Sequence, residues 1–144
     1  MSVSPTAIAY ERYQPHILQT LGSVSALIGK TELDPKIRHL VDLRASQING
    51  CEYCVNMHIA EALEDGESQD RLDKVVVWRR SDLFTPGEKA AFAWTEALTD
   101  LKADADYESL RAELKLYYTE DEISVLTVAI AMINLWNRVQ VSKY

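Results

Sequence analysis

The chain of 144 residues has the length of one ordinary domain, and its 47% hydrophobic and 26% charged residues are typical of a globular protein. Its net charge of −7 would repel a phosphate backbone, so we expect no nucleic-acid partner. The first residues lack the basic and apolar regions of a signal peptide, and no segment approaches the length of a membrane span. We expect one cytoplasmic domain over residues 1–144 with no membrane partner.

Helix-forming signals recur along nearly the whole chain, whereas the alternation of apolar and polar residues typical of strands is hard to find. This pattern predicts an all-α fold. A first helix is predicted from Pro15 to Gly29, with Gly29 as a left-handed C-terminal residue. Asp34 and Pro35 have the residue types of an N-cap and a first helical position, and they predict a helix to about Ile48.

The next two predicted helices follow the dipeptide Asn-Gly that ends the second one. A helix carrying both cysteines is expected from about Cys51 to Glu64, with Gly66 after its end. Its start places Cys51 in the first helical turn. Ser68 is a suitable N-cap for a further helix that continues to about Arg80.

Two four-residue segments, Thr85–Glu88 and Thr119–Glu122, have the composition of a capping box. The first predicts a helix to about Leu101, and another helix is expected over about Tyr107–Tyr117. The last helix is apolar on too many sides for a one-faced surface helix. It either packs partly against a second subunit or forms the core helix of a monomer.

The segment NGCEYCVNMH at residues 49–58 contains both cysteines of the chain. In a helix, Cys51, Cys54 and His58 would share one face within an arc of roughly 60°. Cys51 would lie near the positive helix N-terminus, and Cys54 would face His58 at i+4. Either device can lower a thiol pKa, so the segment predicts a redox or a metal site.

Two alternatives to redox chemistry follow from the same residues. The first is a zinc site formed by Cys51, Cys54 and His58. Three ligands on one straight helix cannot easily surround a tetrahedral ion, and a fourth ligand would have to come from His16, His39 or a carboxylate. We therefore expect no metal and no other cofactor. The second alternative is structural: two buried cysteines and a core histidine, although a reducing cytosol does not maintain structural disulfides.

Residues 37–63, IRHLVDLRASQINGCEYCVNMHIAEAL, resemble the core motif of the AhpD-like alkylhydroperoxidase branch of the carboxymuconolactone decarboxylase-like superfamily. Residues 66–101 and the terminal segment AIAMINLWNR are also similar to its small single-domain members. The resemblance implies an AhpD-like helical bundle that assembles into a homotrimer or homohexamer. It also implies a redox-active cysteine pair that reduces hydroperoxides.

The resemblance also assigns roles to individual residues. At the matching positions Cys54 would be the peroxidatic cysteine, Cys51 the resolving cysteine and His58 part of a proton relay. The helix-dipole argument favours Cys51 as the first attacker instead, so the order of attack stays open.

The chain departs from the family pattern at His39, which occupies the position of a glutamate in the relay, twelve residues before Cys51. A histidine is not a permanent negative charge near pH 7 and would not raise the basicity of His58 as a carboxylate does. Asp42 follows at i+3, so a His39/Asp42 pair could carry protons instead. The alternative is that both are ordinary solvated polar residues.

These observations lead to a ranked set of functions. The first is a thiol-dependent peroxidase that takes a small hydroperoxide as substrate and an unidentified dithiol or protein as reductant. The second is a non-peroxidatic disulfide exchanger or redox-responsive binding protein of the same fold. A lactone decarboxylase ranks last, because such members are expected to lack the cysteine pair.

Overall fold

A computed structural model describes residues 4–144, and in that range it contains helices and no strand, which confirms the predicted all-α fold. Eight of the helices are α-helical, and a 3₁₀ helix over Val75–Arg80 follows α5. The α-helices are α1 Tyr10–Tyr13, α2 Pro15–Ile28, α3 Pro35–Ile48, α4 Glu52–Glu64, α5 Gln69–Lys74, α6 Pro86–Asp100, α7 Tyr107–Leu114 and α8 Glu120–Val141.

The predicted capping boxes begin α6 and α8. Thr85 accepts a hydrogen bond from the backbone N–H of Glu88 at 3.1 Å, and the Glu88 carboxylate accepts one from the Thr85 N–H at 2.8 Å. Thr119 and Glu122 make the same reciprocal pair. Each box satisfies two backbone donors that a helix start would otherwise leave without a partner.

The helix predicted from Ser68 to Arg80 is wrong in its second half. The α-helix ends at Lys74, and the chain continues as a 3₁₀ helix with non-helical angles at Val77 (φ −118°, ψ 24°). Three consecutive valines occupy this segment. Valine is stiff at χ1 and has a low helix propensity, which explains why the α-helix does not continue there.

Two predicted helix ends also need correction. Gly29 follows α2 but is right-handed, with φ −65°, because the N–H groups of Lys30 and Thr31 close ordinary turns onto α2 carbonyls. Helix α7 ends at Leu114, and the N–H of Tyr118 bonds back to the Leu114 carbonyl at 2.9 Å. The intervening residues form the turn that leads into α8.

Helix α3 lies at the centre of the fold and packs against α4, α6 and α8. Its side chains enter two buried clusters. The first contains Leu33, Ile37, Val41, Ala90, Ala91, Trp94, Leu114, Leu126 and Ile130. The second contains Leu40, Leu43, Ala62, Leu72, Val75, Trp78, Phe84 and Phe92. Because α3 is buried on both sides, residues that follow it directly are held in a fixed place.

The prediction that no segment approaches the length of a membrane span is wrong for helix α8. This helix has 22 residues, and by length and composition alone an 18-residue window of it is apolar enough to cross a membrane. In the structure α8 packs against α3 and α6, with Leu126, Ile130 and Ile133 in the core. Only 33% of the window is buried, so much of its surface faces outward.

The turn between α3 and α4 positions the cysteines. Gly50 is left-handed (φ +65°), its N–H bonds to the Gln47 carbonyl at 3.2 Å, and the Cys51 N–H bonds to the Ser46 carbonyl at 3.0 Å. This pair of bonds is a Schellman motif, in which a left-handed residue closes the helix end. Cys51 is therefore fixed by the end of α3 before α4 begins.

Asn49 ties the same turn to α8. Its side-chain amide donates to Oδ1 of Asn134 and to Oδ1 of Asn137, both at 2.9 Å. Asn137 in turn donates to the hydroxyl of Ser46 at 3.0 Å. These polar groups are largely removed from water, so each depends on the others for its hydrogen bonds.

Two glycine substitutions test the role of the turn. Gly50→Ala should lower the free energy of unfolding by about 1 kcal/mol, because L residues are strained at positive φ. Gly22→Ala, inside α2 and with nothing within 4 Å of an added Cβ, should instead raise it by up to about 1 kcal/mol. Urea unfolding of both variants gives the values. A Gly50→Ala protein as stable as the parent would contradict the assigned turn.

Candidate active site

Cys51 is the N-cap residue of α4, with extended backbone angles (φ −88°, ψ 93°). The sequence predicted Cys51 in the first helical turn, but it lies one position before that turn because α4 begins at Glu52. Its sulfur accepts a hydrogen bond from the Cys54 N–H at 3.3 Å, and the two cysteines form a disulfide with a Cα–Cα distance of 5.3 Å. A negative charge on the Cys51 sulfur would be stabilised there by the helix N-terminus.

Both cysteines are buried, each with 2% of its surface exposed. A cavity of about 500 Å³ lies beside them, between α2, α3, α4 and α8. Of the two cysteines, both within the described part of the chain, only Cys54 lines this cavity. A small molecule in the cavity would therefore meet the Cys54 side of the pair.

The cavity wall is apolar over most of its surface and polar on one side. Its apolar lining includes Ala26, Ile28, Met57, Met132, Ile133 and Trp136. Its lining also includes the charged or titratable side chains of Arg38, Asp42, His58 and Glu61, together with Cys54 of the disulfide. The structure thus brings Cys54, His58 and Asp42 of the predicted site to one cavity.

His58 is buried, and two acidic side chains lie on one side of its ring. Its Nδ1 lies 3.1 Å from Oε2 of Glu61 and 3.9 Å from Oδ2 of Asp42, while its Nε2 has no hydrogen-bond partner among residues 4–144. A carboxylate accepts, so Nδ1–H donates to Glu61 and Nε2 keeps its lone pair. Burial lowers the pKa of His58 below 6.5, against the opposing effect of Glu61, which leaves the ring neutral at pH 7.

Asp42 is also largely removed from water, with 13% of its side chain exposed. Burial, reinforced by the nearby charge of Glu61, raises the pKa of Asp42 from 3.8 to about 8, although Arg38 opposes the change. Asp42 is therefore mostly protonated at neutral pH. The anionic partner of His58 is Glu61 rather than Asp42.

His39 is buried, with 3% exposure, and does not make the predicted pair with Asp42. Its Nε2 lies 2.5 Å from Oδ2 of Asp65, the C-cap residue that follows α4. Its Nδ1 faces Glu61 Oε2 at 3.9 Å. His39 thus reaches His58 through Glu61, and the alternative that it is an exposed polar residue is also wrong.

Sequence reasoning missed Glu61 and Asp65. Glu61 follows His58 at i+3 on α4, a spacing at which helical side chains meet, so its contact with His58 could have been found. Asp65 is 26 residues from His39, and their contact depends on how α4 packs against α3. No local pattern indicates it.

The fold and this site define an AhpD-like helical protein with a Cys-x-x-Cys pair at the start of a helix. Residues 15–97, more than half of the chain, match the model of the carboxymuconolactone decarboxylase family. The chain belongs to this family, which confirms the resemblance seen in residues 37–63.

Two curated relatives are themselves uncharacterised. YdfG of Bacillus subtilis (strain 168) is 27% identical over 135 residues, covering 94% of this chain and 92% of that protein. YnjA of Escherichia coli (strain K12) is 33% identical over 106 residues, covering 74% of this chain and 58% of that protein. The name of neither relative gives an activity.

Two solved structures share the fold. ATU0492 of Agrobacterium tumefaciens, a protein of unknown function that its description links to the antioxidant defence protein AhpD, matches with a TM-score of 0.91 and 33% identity. That match covers 96% of this chain and 94% of the other. An uncharacterised peroxidase-related protein from Silicibacter sp. TM1040 has a TM-score of 0.77 at 19% identity, over 88% of this chain and 67% of its own. At that identity the second match shows the fold alone.

The raised pKa of Asp42 predicts a pH-dependent stability. In the unfolded chain Asp42 loses its proton near pH 4, whereas the folded protein keeps that proton until about pH 8. The parent should therefore lose stability relative to Asp42→Asn as pH rises from 5 to 8, by at most about 1.4 kcal/mol per pH unit. Denaturant unfolding at several pH values measures the difference.

Asp82→Asn is the matched control, because Asp82 is exposed. It should reproduce the pH dependence of the parent protein. If the Asp42→Asn and parent curves run parallel from pH 5 to 8, the carboxyl group of Asp42 is not held protonated by the fold.

Proposed function

We propose that this protein is a thiol peroxidase that reduces organic hydroperoxides by cycling Cys51 and Cys54 between dithiol and disulfide. The observation that carries the proposal is the position of the buried Cys54 in the wall of the cavity, with His58 beside it and Cys51 directly behind. Membership of the family and the match to a structure linked to AhpD support it.

The reaction requires two steps in this site. In the first, the Cys54 thiolate attacks the peroxide oxygen, the O–O bond breaks, and a proton converts the leaving alkoxide to an alcohol. Cys54 becomes a sulfenic acid. In the second, the Cys51 thiol attacks that sulfur, a disulfide forms, and water leaves. A dithiol or thiol protein then returns the pair to the reduced state by exchange.

His58 is suited to remove the proton from Cys54. Its ring is neutral at pH 7 because burial lowers its pKa. Glu61 holds the proton on Nδ1, so Nε2, which has no hydrogen-bond partner among residues 4–144, can accept a proton from the thiol or deliver one to the leaving oxygen. The imidazolium formed during the reaction would lie beside the Glu61 carboxylate, which stabilises it.

Cys51 is suited to the second step. Its sulfur accepts the N–H of Cys54 and lies at the helix N-terminus, so its thiolate is favoured without contact with the cavity. The order of attack left open by the sequence is thereby proposed as Cys54 first and Cys51 second. A thiol protected from the cavity can resolve the sulfenic acid without meeting a second hydroperoxide.

The alternative is a disulfide exchanger or redox-responsive binding protein. The replacement of the family glutamate by His39 favours it, because the relay has lost a carboxylate at that position. The burial of both sulfurs favours the peroxidase instead. A small hydroperoxide fits a cavity of about 500 Å³, whereas a protein disulfide would need the sulfurs nearer the surface.

We also propose that the working form is a cytoplasmic homotrimer or homohexamer. Helix α2 is rich in apolar residues and yet has no buried residue, and it covers one side of the cavity. Ile17 and Leu27 on α2 and Val128 on α8 are each about half exposed or more. An apolar surface of this kind is typical of a subunit interface.

The direct test follows the oxidation of the reduced protein by tert-butyl hydroperoxide in a stopped-flow instrument. The parent should react at least about a hundredfold faster than free cysteine at pH 7, because His58 can act as a base toward the Cys54 thiol, which lies in the wall of a mostly apolar cavity. Cys54→Ser should fall to the rate of an ordinary thiol. A parent protein no faster than free cysteine would overturn the peroxidase function.

A second measurement on the same samples distinguishes the peroxidase from the disulfide exchanger. If the reduced protein reacts slowly with hydroperoxide but rapidly with a small disulfide such as oxidised glutathione, the disulfide-exchange function is the correct one. His16→Gln is a suitable control, since His16 is exposed on α2 and absent from the cavity lining. It should leave both rates unchanged.

A further inference from the structure

Three side chains beside the cysteine pair direct ligand atoms at one another, and the proposed thiol chemistry does not use all of them. One such atom each from His39, His58 and Glu61 lies within 4.8 Å of the other two. Nδ1 of His58 is 3.1 Å from Oε2 of Glu61, and Nδ1 of His39 is 3.9 Å from the same oxygen. The His39 side of this cluster has no role in the peroxidase steps.

The proton on His39 is placed by Asp65. The Asp65 carboxylate accepts from Nε2 at 2.5 Å, so in the neutral ring the proton lies on Nε2 and Nδ1 keeps its lone pair. That Nδ1 is buried and has no hydrogen-bond partner among residues 4–144. A carboxylate behind one ring nitrogen with a free lone pair on the other is the usual arrangement around a metal-binding histidine.

The spacing of the three atoms suits a small cation. Four ligands at about 2.0–2.1 Å from Zn²⁺ in a tetrahedron lie roughly 3.3 Å from one another. Two of the three separations between ligand atoms, 3.1 and 3.9 Å, bracket that value. Two imidazoles and one carboxylate are also a common donor set for catalytic zinc, with the fourth position open.

The surroundings both favour and oppose a cation. Glu61 is 46% exposed and lines the cavity, which gives an ion a path to two buried histidines. Arg38 is the opposing group, since its positive charge acts on His58. Arg38 also lines the cavity.

We propose that His39, His58 and Glu61 form a binding site for a divalent transition-metal ion of the Zn²⁺ class. The ligands are Nδ1 of each histidine and the Glu61 carboxylate, and the fourth position opens to the cavity. The site differs from the metal site considered for the Cys-x-x-Cys segment, because neither sulfur is a ligand. It therefore exists in the disulfide form of the protein.

Binding would change the state of His58. An ion on Nδ1 displaces the proton from that nitrogen, and a neutral ring then carries its proton on Nε2. His58 could no longer accept a proton from Cys54 at that atom. This consequence rests on the proposed peroxidase function, whereas the binding itself does not.

The test uses untagged protein with the disulfide intact, so that no thiol can bind the probe. Co²⁺ should give the visible absorption of a four- or five-coordinate ion, and Zn²⁺ should displace it at one ion per chain. Calorimetric titration with Zn²⁺ should give a dissociation constant of about 10 µM or lower. Binding weaker than about 1 mM would overturn the proposal.

Four variants locate the site. His39→Gln and Glu61→Gln should each weaken Zn²⁺ binding at least tenfold, and Glu61→Gln cannot disturb the core because Glu61 is half-exposed. Asp65→Asn should weaken Zn²⁺ binding about tenfold, because the Asp65 carboxylate holds His39 in orientation through the hydrogen bond from its Nε2. His16→Gln is the matched control and should bind as the parent does. Unchanged binding in Glu61→Gln would overturn the assignment of ligands.

The expected loss of the proton acceptor on His58, which rests on the proposed peroxidase function, is measured separately on reduced protein. One equivalent of Zn²⁺ should slow oxidation by tert-butyl hydroperoxide in the parent, and much less so in His39→Gln. Because ion binding is measured on the disulfide form, a failed peroxidase assay leaves the binding result intact. Equal slowing of the parent and His39→Gln would show that Zn²⁺ acts through the thiols and not through this site.

Discussion

The left-handed turn at Gly50 is the constraint on which the site depends. Helix α3 is buried on both sides, so its C-terminal end has one position, and the Schellman bonds from Gly50 and Cys51 return the chain directly onto that end. Asn49 then fixes the turn to α8 through two side-chain amides. The result is that Cys51 caps α4, and Cys54, one turn later, reaches the cavity. The chemistry of the pair follows from a backbone geometry that the core enforces.

Burial sets the protonation states of the cavity more than the individual charges do. It keeps His58 neutral by lowering its pKa and keeps Asp42 protonated by raising its pKa, so Glu61 is the carboxylate that orients His58. In this chain the Glu61 carboxylate, one turn along α4, contacts His58, while His39 occupies the position at which the family resemblance implies a glutamate. The departure at His39 therefore does not leave His58 without a carboxylate. It adds a second imidazole to the same cluster.

Local signals in the sequence predicted much of the fold and part of the site. Capping boxes such as Thr85–Glu88 and the Asp34–Pro35 pair act within four residues, so helix starts could be placed well. The α-helix predicted to continue from Ser68 to about Arg80 ends at Lys74, before the run of valines that precedes Trp78. The contact of His39 with Asp65 and the cavity between four helices depend on tertiary packing, which no spacing along the chain reveals.

The most direct test of the account is the identity of the sulfur that hydroperoxide oxidises first. Reduced Cys51→Ser protein, treated with one equivalent of tert-butyl hydroperoxide and then with dimedone, should carry the sulfenic-acid adduct on Cys54 in a peptide mass map. We expect nearly complete labelling of Cys54, because Cys54 lines the cavity and, in the Cys51→Ser protein, lacks its resolving partner. Absence of the adduct from Cys54, with efficient labelling of Cys51 in the Cys54→Ser protein, would contradict it.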